Sequence, residues 1–224
     1  MKILIIAPHP DDEVLGCGGT IAKHKKKGDE VYLCIVTKAY LPDWSRKFIE
    51  NKKKEVEQVR KIFGIKKVFF LNLPTVKLDT IPRKKINDLI FQCLDTVKPE
   101  ILYIPFGGDI NLDHRLIFTT SLVASRPNKK HKIKRVLSYE SLSETEWGPP
   151  LAKELKHVFL PNVYEDISET LKIKLRAMRC YKSELKKHPH PRSLKGITIL
   201  AEKRGIESGL KAAEAFILIR EIRT

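Results

Sequence analysis

The chain has 224 residues, of which 42% are apolar and 31% are charged. This balance is typical of folded globular proteins and excludes a largely disordered or collagen-like chain. A chain of this length buries about 70% of the surface that its unfolded form exposes, so any metal has a chemical role and not a structural one. The longest apolar runs, residues 3–8 and 31–36, are far shorter than the roughly 20 residues of a membrane-spanning helix.

The net charge and the cysteines bear on partners and location. Lys and Arg number 43 against 27 Asp and Glu, a formal net charge of +16, which raises the hypothesis of nucleic-acid binding. The basic residues form many short runs instead of one stripe, so a solvated surface is the favoured interpretation. The four cysteines show no CxxC spacing, and acidic residues near the N-terminus exclude a signal peptide. We therefore expect a cytoplasmic protein whose cysteines are small buried residues.

Predicted strands and helices alternate through the first two thirds of the chain, as judged by apolar runs and helical periodicity. In chain order they are a strand over 3–7, a helix over 14–27, a strand over 30–37, a helix over 49–63, a strand over 67–71, a helix over 81–97, a strand over 101–105, a helix over 116–124 and a strand over 134–139. This alternation predicts an α/β fold with a Rossmann-like, mostly parallel sheet and helices on both faces. In the common strand order 3-2-1-4-5, the first and fourth strands flank a ligand crevice at their carboxyl ends.

The pattern changes after residue 139. The remaining predictions are a loop over 141–150, a strand pair over 158–167, a helix over 168–185, a helix over 193–204 and an apolar run over 215–219. No repeat or flexible linker is evident. We therefore expect a single domain, residues 1–224, with a Rossmann-like core over 1–140 and a C-terminal elaboration over 141–224.

A histidine and two adjacent carboxylates follow the first strand. His9, Asp11, Asp12 and Glu13 lie just before the first predicted helix, whose positive dipole end favours ionised Asp. Ordinary helix capping accounts for one Asp, but not for His9 or for the two prolines that stiffen the loop. The segment is a candidate metal or catalytic site.

A second group of ligand-type residues, 109–114, follows the fourth strand and ends in His114. On its own it is typical of a turn that caps the next helix. Because both groups follow strands that flank the predicted crevice, we expect them to converge. Two His and one carboxylate with an open position form the ligand set of hydrolytic zinc sites. His9, Asp12 and His114 supply this set and leave Asp11 as a base.

At these residues the chain resembles the LmbE-like N-acetylglucosaminyl deacetylases, also called the PIG-L family. The family has a His-Pro-Asp-Asp-Glu motif after its first strand, here residues 9–13, and an Asp-His pair after its fourth, here residues 113–114. Further similar segments are 15–20, 144–147, 189–193 and 213–216. The resemblance implies a Rossmann-like fold, one zinc ion and removal of an acyl group, usually acetyl, from the nitrogen of an amino sugar.

Carried over residue by residue, the resemblance implies that His9, Asp12 and His114 are zinc ligands and that Asp11 is the general base. Zn²⁺ is the expected cofactor, with another divalent transition metal as the alternative. The expected partner is a small molecule, an N-acetylated amino sugar or its conjugate. The resemblance also implies a homo-oligomer, since relatives are often trimers or hexamers.

One departure from the family concerns the general acid. Several members have a His three residues before the second zinc-binding His, where this chain has Asn111. Asn can donate a hydrogen bond to an oxyanion, but it cannot act as a general acid. The acid is then either Asp11 acting twice or His190 from the C-terminal His-Pro-His-Pro loop. A rigid surface turn is the competing interpretation of that loop.

Lys52 and Arg192 are the candidate substrate-binding residues. Lys52 falls on the extension of the buried face of the second helix, where relatives often carry an Arg, and a solvated lysine is the competing interpretation. Arg192 lies in one of the segments that the resemblance covers. His24, His131 and His157 have no partners by spacing, and we expect them at the surface.

The main functional hypothesis is a zinc-dependent hydrolase that removes an N-acetyl group from an amino sugar or its conjugate. A Rossmann nucleotide-binding enzyme is disfavoured, because Gly16, Gly18 and Gly19 do not make the GxGxxG spacing. The alternative outside catalysis is a basic α/β domain that binds nucleic acid, which steep salt dependence of DNA or RNA binding would reveal.

Overall fold

The computed structural model describes residues 1–127, 132–148 and 158–223, and within these ranges the chain forms seven strands and six helices. The strands are β1 (Lys2–Ala7), β2 (Glu30–Lys38), β3 (Lys67–Pro74), β4 (Ile101–Pro105), β5 (Arg135–Tyr139), β6 (Val163–Asp166) and β7 (Ala213–Glu221). The helices are α1 (Asp12–Lys26), α2 (Arg46–Phe63), α3 (Arg83–Val97), α4 (Leu112–Ala124), α5 (Leu171–Met178) and α6 (Leu194–Ile206). His131 and His157 lie outside the described residues.

The seven strands form one sheet in the order β3-β2-β1-β4-β5-β7-β6. The first five strands pair in parallel in the predicted order 3-2-1-4-5, and β7 is antiparallel to both β5 and β6. The predicted Rossmann-like fold class is therefore confirmed. The carboxyl ends of β1 and β4 are adjacent, so the loops that follow them meet at the switch point.

Alternate residues of the strands face two hydrophobic clusters. Ile3 and Ile5 of β1 pack on the face covered by α1, α2, α5 and α6, whereas Leu4 and Ile6 pack on the face covered by α3 and α4. Because the central strands are covered on both faces, they read as continuous apolar runs in the sequence. Cys17, Cys34 and Cys93 are buried as expected, and Cys180 is half-buried.

Several helices begin earlier than the periodicity predicts, because capping side chains lie outside the apolar pattern. Helix α2 begins at Arg46 instead of residue 49, where the Ser45 side chain accepts from Phe48 N. Helix α4 begins at Leu112 instead of residue 116, where Asn111 accepts from Asp113 N. Both caps satisfy backbone donors that a helix leaves unpaired.

The C-terminal elaboration departs most from the predictions. Within 158–167 there is one strand, β6, which pairs with β7 and not with a neighbouring segment. The helix expected over 168–185 ends at Met178, because the chain then turns to bury Tyr181 and to donate from Ser183 N to Glu55. The apolar run over 215–219 belongs to β7.

Helix α1 packs unusually closely against its neighbours. A Cβ atom added at Gly16 would lie 2.2 Å from the Tyr139 ring, so only glycine fits at this contact. At the middle of the helix, the buried Glu214 carboxylate accepts from the backbone N–H groups of Gly19 and Thr20. Lys174 Nζ donates to that carboxylate at 2.6 Å and to Leu15 O at 2.7 Å. These contacts fix the helix whose first turn carries the candidate site.

His24 is the clearest error among the predicted surface residues. It is buried in α1, with Nδ1 2.7 Å from Asp29 Oδ2 and Nε2 3.0 Å from the Tyr103 hydroxyl. Asp29 lies beyond the end of α1 and Tyr103 lies 79 residues away on β4, so helical periodicity could not indicate either partner. Among the described residues, no helix is both long and apolar enough to cross a membrane.

Candidate active site

The loop after β1 turns sharply and places the side chains of His9, Asp11 and Asp12 at the start of α1. Asp11 has φ 131°, a backbone conformation that costs a non-glycine residue about 1–3 kcal/mol. The Glu13 carboxylate holds this turn by accepting from Asp11 N at 3.1 Å and from the Tyr181 hydroxyl at 2.6 Å. The turn directs the neighbouring Asp11 and Asp12 carboxylates to different partners, Arg192 and the histidines.

The loop after β4 brings His114 to the same place. Asn111 caps α4, so His114 lies in the first turn of the helix and is fully buried. His114 Nε2 is 3.3 Å from His9 Nδ1, and their rings are tilted by 35°. The predicted convergence of the two loops is what the structure shows.

His9, Asp12 and His114 form the one group among the described residues whose atoms are placed to hold a metal ion. Asp12 Oδ2 is 3.4 Å from His9 Nδ1 and 3.3 Å from His114 Nε2. With the 3.3 Å between the two ring nitrogens, these atoms form a nearly equilateral triangle. Ligands at 2.0–2.1 Å from a tetrahedral Zn²⁺ are separated by roughly 3.3–3.4 Å. The three residues therefore fit such an ion.

Each histidine is oriented by a second carboxylate on its other ring nitrogen. His9 Nε2 is 3.0 Å from Asp113 Oδ2, and His114 Nδ1 is 2.7 Å from Asp109 Oδ2. Asp113 also accepts from Val76 N, and Asp109 accepts from the Thr145 hydroxyl. Carboxylates placed behind histidines in this way fix the ring tautomer of metal ligands. The arrangement leaves His9 Nδ1 and His114 Nε2 directed at Asp12.

The electrostatics of the group favour a cation. Burial opposes ionisation of Asp12, but His114 and His9 hold its pKa well below the usual range. Burial lowers the pKa of His9, yet hydrogen bonds to Asp113 and Asp12 raise it to about 9. The pKa of His114 is likewise raised, by Asp12 and Asp109 against burial. The negative charges of Asp12, Asp109 and Asp113 thus make this buried group attractive to a cation.

Asp11 lies beside the triangle in a different environment. Burial and the neighbouring Asp12 carboxylate raise the pKa of Asp11 well above its ordinary value, while Arg192 opposes the rise. Arg192 Nη1 lies 3.4 Å from Asp11 Oδ2. A buried carboxylate with a raised pKa beside a candidate metal site is suited to proton transfer.

Arg192 is held by three carboxylates and a hydroxyl. Its guanidinium donates to Asp11, to Glu184 at 3.2 Å, to Glu144 at 2.7 Å and to Ser143 Oγ at 2.6 Å. The sequence analysis missed Glu144 and Glu184 as site residues. Both lie in irregular segments, where no periodicity indicates which way a side chain points.

Lys52 reaches the site from α2, so the solvated-lysine interpretation is wrong. Its Nζ donates to Ser183 Oγ and, at 2.6 Å, to Glu184 Oε1. It lines the same cleft as Asp11 and Arg192. Glu184 therefore joins the two predicted substrate-binding cations.

The two remaining candidates, Asn111 and His190, differ in position. Asn111 lines the cleft, and because its Oδ1 accepts from Asp113 N, its Nδ2 is the group able to donate to a ligand. His190 does not lie among the residues that line the cleft. Its Nδ1 accepts from Arg192 N at 3.1 Å, and its ring meets Trp147 edge-on.

A cleft of about 720 Å³ has at one end the side chains of His9, Asp11, Lys52, Asn111, Glu144, Glu184 and Arg192. Asp12 and His114 are buried beside His9. The cleft continues from the candidate site along β2 and β3 under the inner face of α2. The polar end thus combines three residues placed to hold a metal with a buried carboxylate, and it opens into a wider cavity. This combination is typical of a hydrolase site for a small molecule.

Comparison with protein families gives a match over the part of the chain that carries His9, Asp11, Asp12 and His114. The profile of the PIG-L family, described as GlcNAc-PI de-N-acetylase, matches residues 4–125. This range includes most of β1, all of β2 to β4, α4 and the two loops that carry the candidate metal ligands, whereas Glu144, Glu184 and Arg192 lie beyond it.

Individual relatives point the same way. An Escherichia coli protein named uncharacterized deacetylase YaiS is 28% identical over 190 residues, covering 81% of this chain and 90% of the relative. The diacetylchitobiose deacetylase of Thermococcus kodakarensis is 26% identical over 202 residues, covering 82% and 70%. The solved structure of the N,N'-diacetylchitobiose deacetylase of Pyrococcus horikoshii superposes with a TM-score of 0.78 at 22% identity, covering 97% and 83% of the two chains. This structural likeness shows a shared fold.

Proposed function

The chain belongs to the PIG-L family of deacetylases, and from this premise we propose that it is a metal-dependent hydrolase that removes the N-acetyl group of an amino sugar or amino-sugar conjugate. The observation that carries the proposal is the triangle of His9, Asp12 and His114 next to Asp11 at the polar end of the cleft. The names of the relatives, which include a diacetylchitobiose deacetylase, support the substrate class.

We assign the metal to His9, Asp12 and His114, with Zn²⁺ as the expected ion. When bound, such an ion polarises the amide carbonyl and makes water more acidic. Asp109 and Asp113 hold the two histidine rings in the tautomers that binding needs.

Asp11 takes a proton from the attacking water while the water oxygen bonds to the carbonyl carbon. Asn111 Nδ2 donates a hydrogen bond to the carbonyl oxygen as negative charge develops there. The C–N bond then breaks, and the proton is delivered to the departing nitrogen, which leaves acetate and a free amine. Of the two acids that the sequence left open, Asp11 is supported by its place in the cleft.

Lys52 and Arg192 bind the sugar in this proposal. Both cations line the cleft and both contact Glu184, so they present donors while Glu184 and Glu144 present acceptors. Donors and acceptors in alternation suit the hydroxyl groups of a sugar, each of which both donates and accepts.

The test is acetate release from a panel of N-acetylated sugars, including N-acetylglucosamine and N,N'-diacetylchitobiose, together with the metal content of the purified protein. We expect acetate from at least one sugar and about one divalent ion per chain. Absence of acetate from every sugar with a metal-loaded protein would contradict the proposal. Nucleic-acid binding is not favoured, and a cytoplasmic location and a trimeric or hexameric assembly stay predictions.

A further inference from the structure

The proposed reaction needs a proton donor for the departing nitrogen, because an amine leaves far more easily as a neutral molecule than as an anion. Asn111 lines the cleft, but its amide has no proton to release at neutral pH. Asp11 is the residue that takes a proton from the attacking water in the same reaction. A second acid in the cleft would let the two proton transfers use two separate groups.

The polar end of the cleft offers few such groups. Apart from the proposed base and metal ligands, its ionisable side chains are Lys52, Glu144, Glu184 and Arg192. Arg192 does not release a proton near neutral pH. Lys52 Nζ is held in an ion pair with Glu184 Oε1 at 2.6 Å. The candidates are therefore the two glutamates.

The two glutamates differ in how many of their oxygens contact a cation. Glu184 Oε1 accepts from Lys52, and its Oε2 accepts from Arg192 Nη1 at 3.2 Å. Glu144 Oε1 accepts from Arg192 Nη2 at 2.7 Å, but Glu144 Oε2 has no hydrogen-bond partner among the described residues. Because Glu144 lines the cleft, this second oxygen is available to a bound substrate.

Their electrostatic environments differ in the same way. Burial opposes ionisation of Glu184, but Lys52 and Arg192 lower its pKa. Burial also opposes ionisation of Glu144, and with the help of Asp12 it raises the pKa of Glu144 against three positive neighbours, His114, Arg192 and His9. Glu144 is thus the glutamate better suited to hold a proton.

The backbone fixes Glu144 beside the other groups of the proposed reaction. Glu144 O accepts from Ile110 N at 2.9 Å, which places Glu144 next to Asn111. The following residue, Thr145, donates from its hydroxyl to Asp109 Oδ1 at 2.6 Å. Glu144 is buried, and these two contacts join its segment to the loop after β4.

We propose that Glu144 is the general acid of the reaction and delivers the proton of its Oε2 to the departing nitrogen. The inference rests on the proposed function, since it supplies the proton that cleavage of the amide requires. As the C–N bond breaks, its electron pair stays on nitrogen and takes the proton, and Glu144 becomes a carboxylate beside Arg192. The proton that Asp11 took from water then returns to Glu144 through solvent, so both groups are restored.

The pH dependence of turnover in Glu144→Gln tests this role. We expect kcat for acetate release to fall about 100-fold or more with the metal retained, and the alkaline limb of the pH profile to disappear, because that limb reports an acid that must be protonated. Glu184→Gln removes a carboxylate from the same guanidinium and should raise KM while keeping the alkaline limb. An alkaline limb that remains in Glu144→Gln, or that both variants lose, would overturn the assignment.

A change of leaving group separates an acid from a structural residue. p-Nitrophenyl acetate releases a phenolate that departs without a proton, so Glu144→Gln should hydrolyse it within about threefold of the unmodified protein. Asp11→Asn should lose turnover on this ester and on the N-acetyl sugar alike, because both need the base. An equal loss on both substrates in Glu144→Gln would overturn the assignment.

Infrared spectroscopy of the metal-loaded protein gives a readout that does not depend on turnover. Near neutral pH, the band of protonated carboxyl groups should be weaker in Glu144→Gln than in the unmodified protein, whereas Glu184→Gln should leave it unchanged. An unchanged band in Glu144→Gln would contradict the assignment.

Activity of the unmodified protein separates this inference from the proposed function. If the unmodified protein releases acetate from no N-acetyl sugar, the proposed function fails and the role of Glu144 fails with it. If the unmodified protein is active and Glu144→Gln keeps turnover within about tenfold, the proposed function stands and the role of Glu144 alone is overturned.

Discussion

At the scale of single residues, two neighbouring carboxylates have opposite environments. Asp12 lies between two histidines that favour its charge, whereas burial and the neighbouring Asp12 carboxylate disfavour the charge of Asp11. Because Asp11 has a positive φ, the backbone turns between the two residues and their carboxylates point in different directions. The proposed roles, metal ligand for Asp12 and general base for Asp11, rest on this difference.

Substituting each carboxylate by its amide separates these two roles. Asp11→Asn should retain the metal and lose about 100-fold or more in turnover, the range of a positioned proton transfer. Asp12→Asn should lose metal instead, because it removes one of three protein ligands. Metal content and acetate release measured on both variants check the assignment. Metal loss in Asp11→Asn with full occupancy in Asp12→Asn would reverse it.

The role of His190 is open to a similar test. Because His190 Nδ1 accepts from Arg192 N and the His190 ring packs edge-on against Trp147, we expect His190→Ala to keep turnover within about tenfold of the unmodified protein. His188→Ala, in the same loop, is the matched control. A loss of about 100-fold in His190→Ala alone, with metal retained and the alkaline limb of the pH profile shifted, would make His190 the general acid.

The sequence predicts some of these residues and not others. The convergence of His9, Asp12 and His114 could be predicted, because they lie in the segments that follow β1 and β4, the two strands that flank the switch point. The contacts of Glu144 and Glu184 with Arg192 could not be predicted, because only the tertiary fold brings their irregular segments together. The one signal was that Glu144 lies in segment 144–147, which the family resemblance covers.

At the scale of secondary structure elements, α1 is held in place by a buried ion pair. Lys174 of α5 and Glu214 of β7 meet at the middle of the helix, and both side chains are less than 5% exposed. The sequence predicted α1 itself from its periodicity. The ion pair joins residues 40 positions apart and has no local signal.

Removing one partner of this pair should destabilise the protein strongly. Lys174→Met leaves the Glu214 charge buried without its cation, which costs about 3–5 kcal/mol. Lys84→Met removes the exposed partner of Asp88 in α3 and should leave stability nearly unchanged. Urea unfolding of both variants measures the difference. Equal midpoints would show that the buried pair contributes nothing to stability.

His24, which joins α1 to Tyr103 of β4, makes the stability of the fold depend on pH. Burial lowers the pKa of His24 below 6.5, although Asp29 opposes the shift. At pH below about 6.5 the unfolded chain therefore takes up a proton that folded His24 does not, and stability falls as the pH drops. His24→Gln should show a weaker fall between pH 7 and pH 5 in urea unfolding, whereas the exposed His188→Gln should behave like the unmodified protein. An identical pH dependence in His24→Gln would exclude this contribution.

At the scale of the whole molecule, we expect the fold to form without the metal, because a large apolar core holds the sheet. Two hydrophobic clusters cover the two faces of the sheet. His9, Asp12 and His114 lie outside these clusters, at the carboxyl ends of β1 and β4. The α/β fold and the order of five strands could be predicted, because alternation of elements and the crossover rule restrict the topology. The placement of β6 and β7 could not, since antiparallel pairing of a late strand obeys no such rule.

The most direct test of the central claim is a titration of the metal-free protein with Zn²⁺ while acetate release is followed. Circular dichroism first verifies that the chelated protein is still folded. The account predicts that the chelated protein is inactive, that acetate release rises to a plateau at about one Zn²⁺ per chain, and that His114→Ala shows no such rise at the same concentrations. Full acetate release by the metal-free protein, or an unchanged titration in His114→Ala, would contradict it.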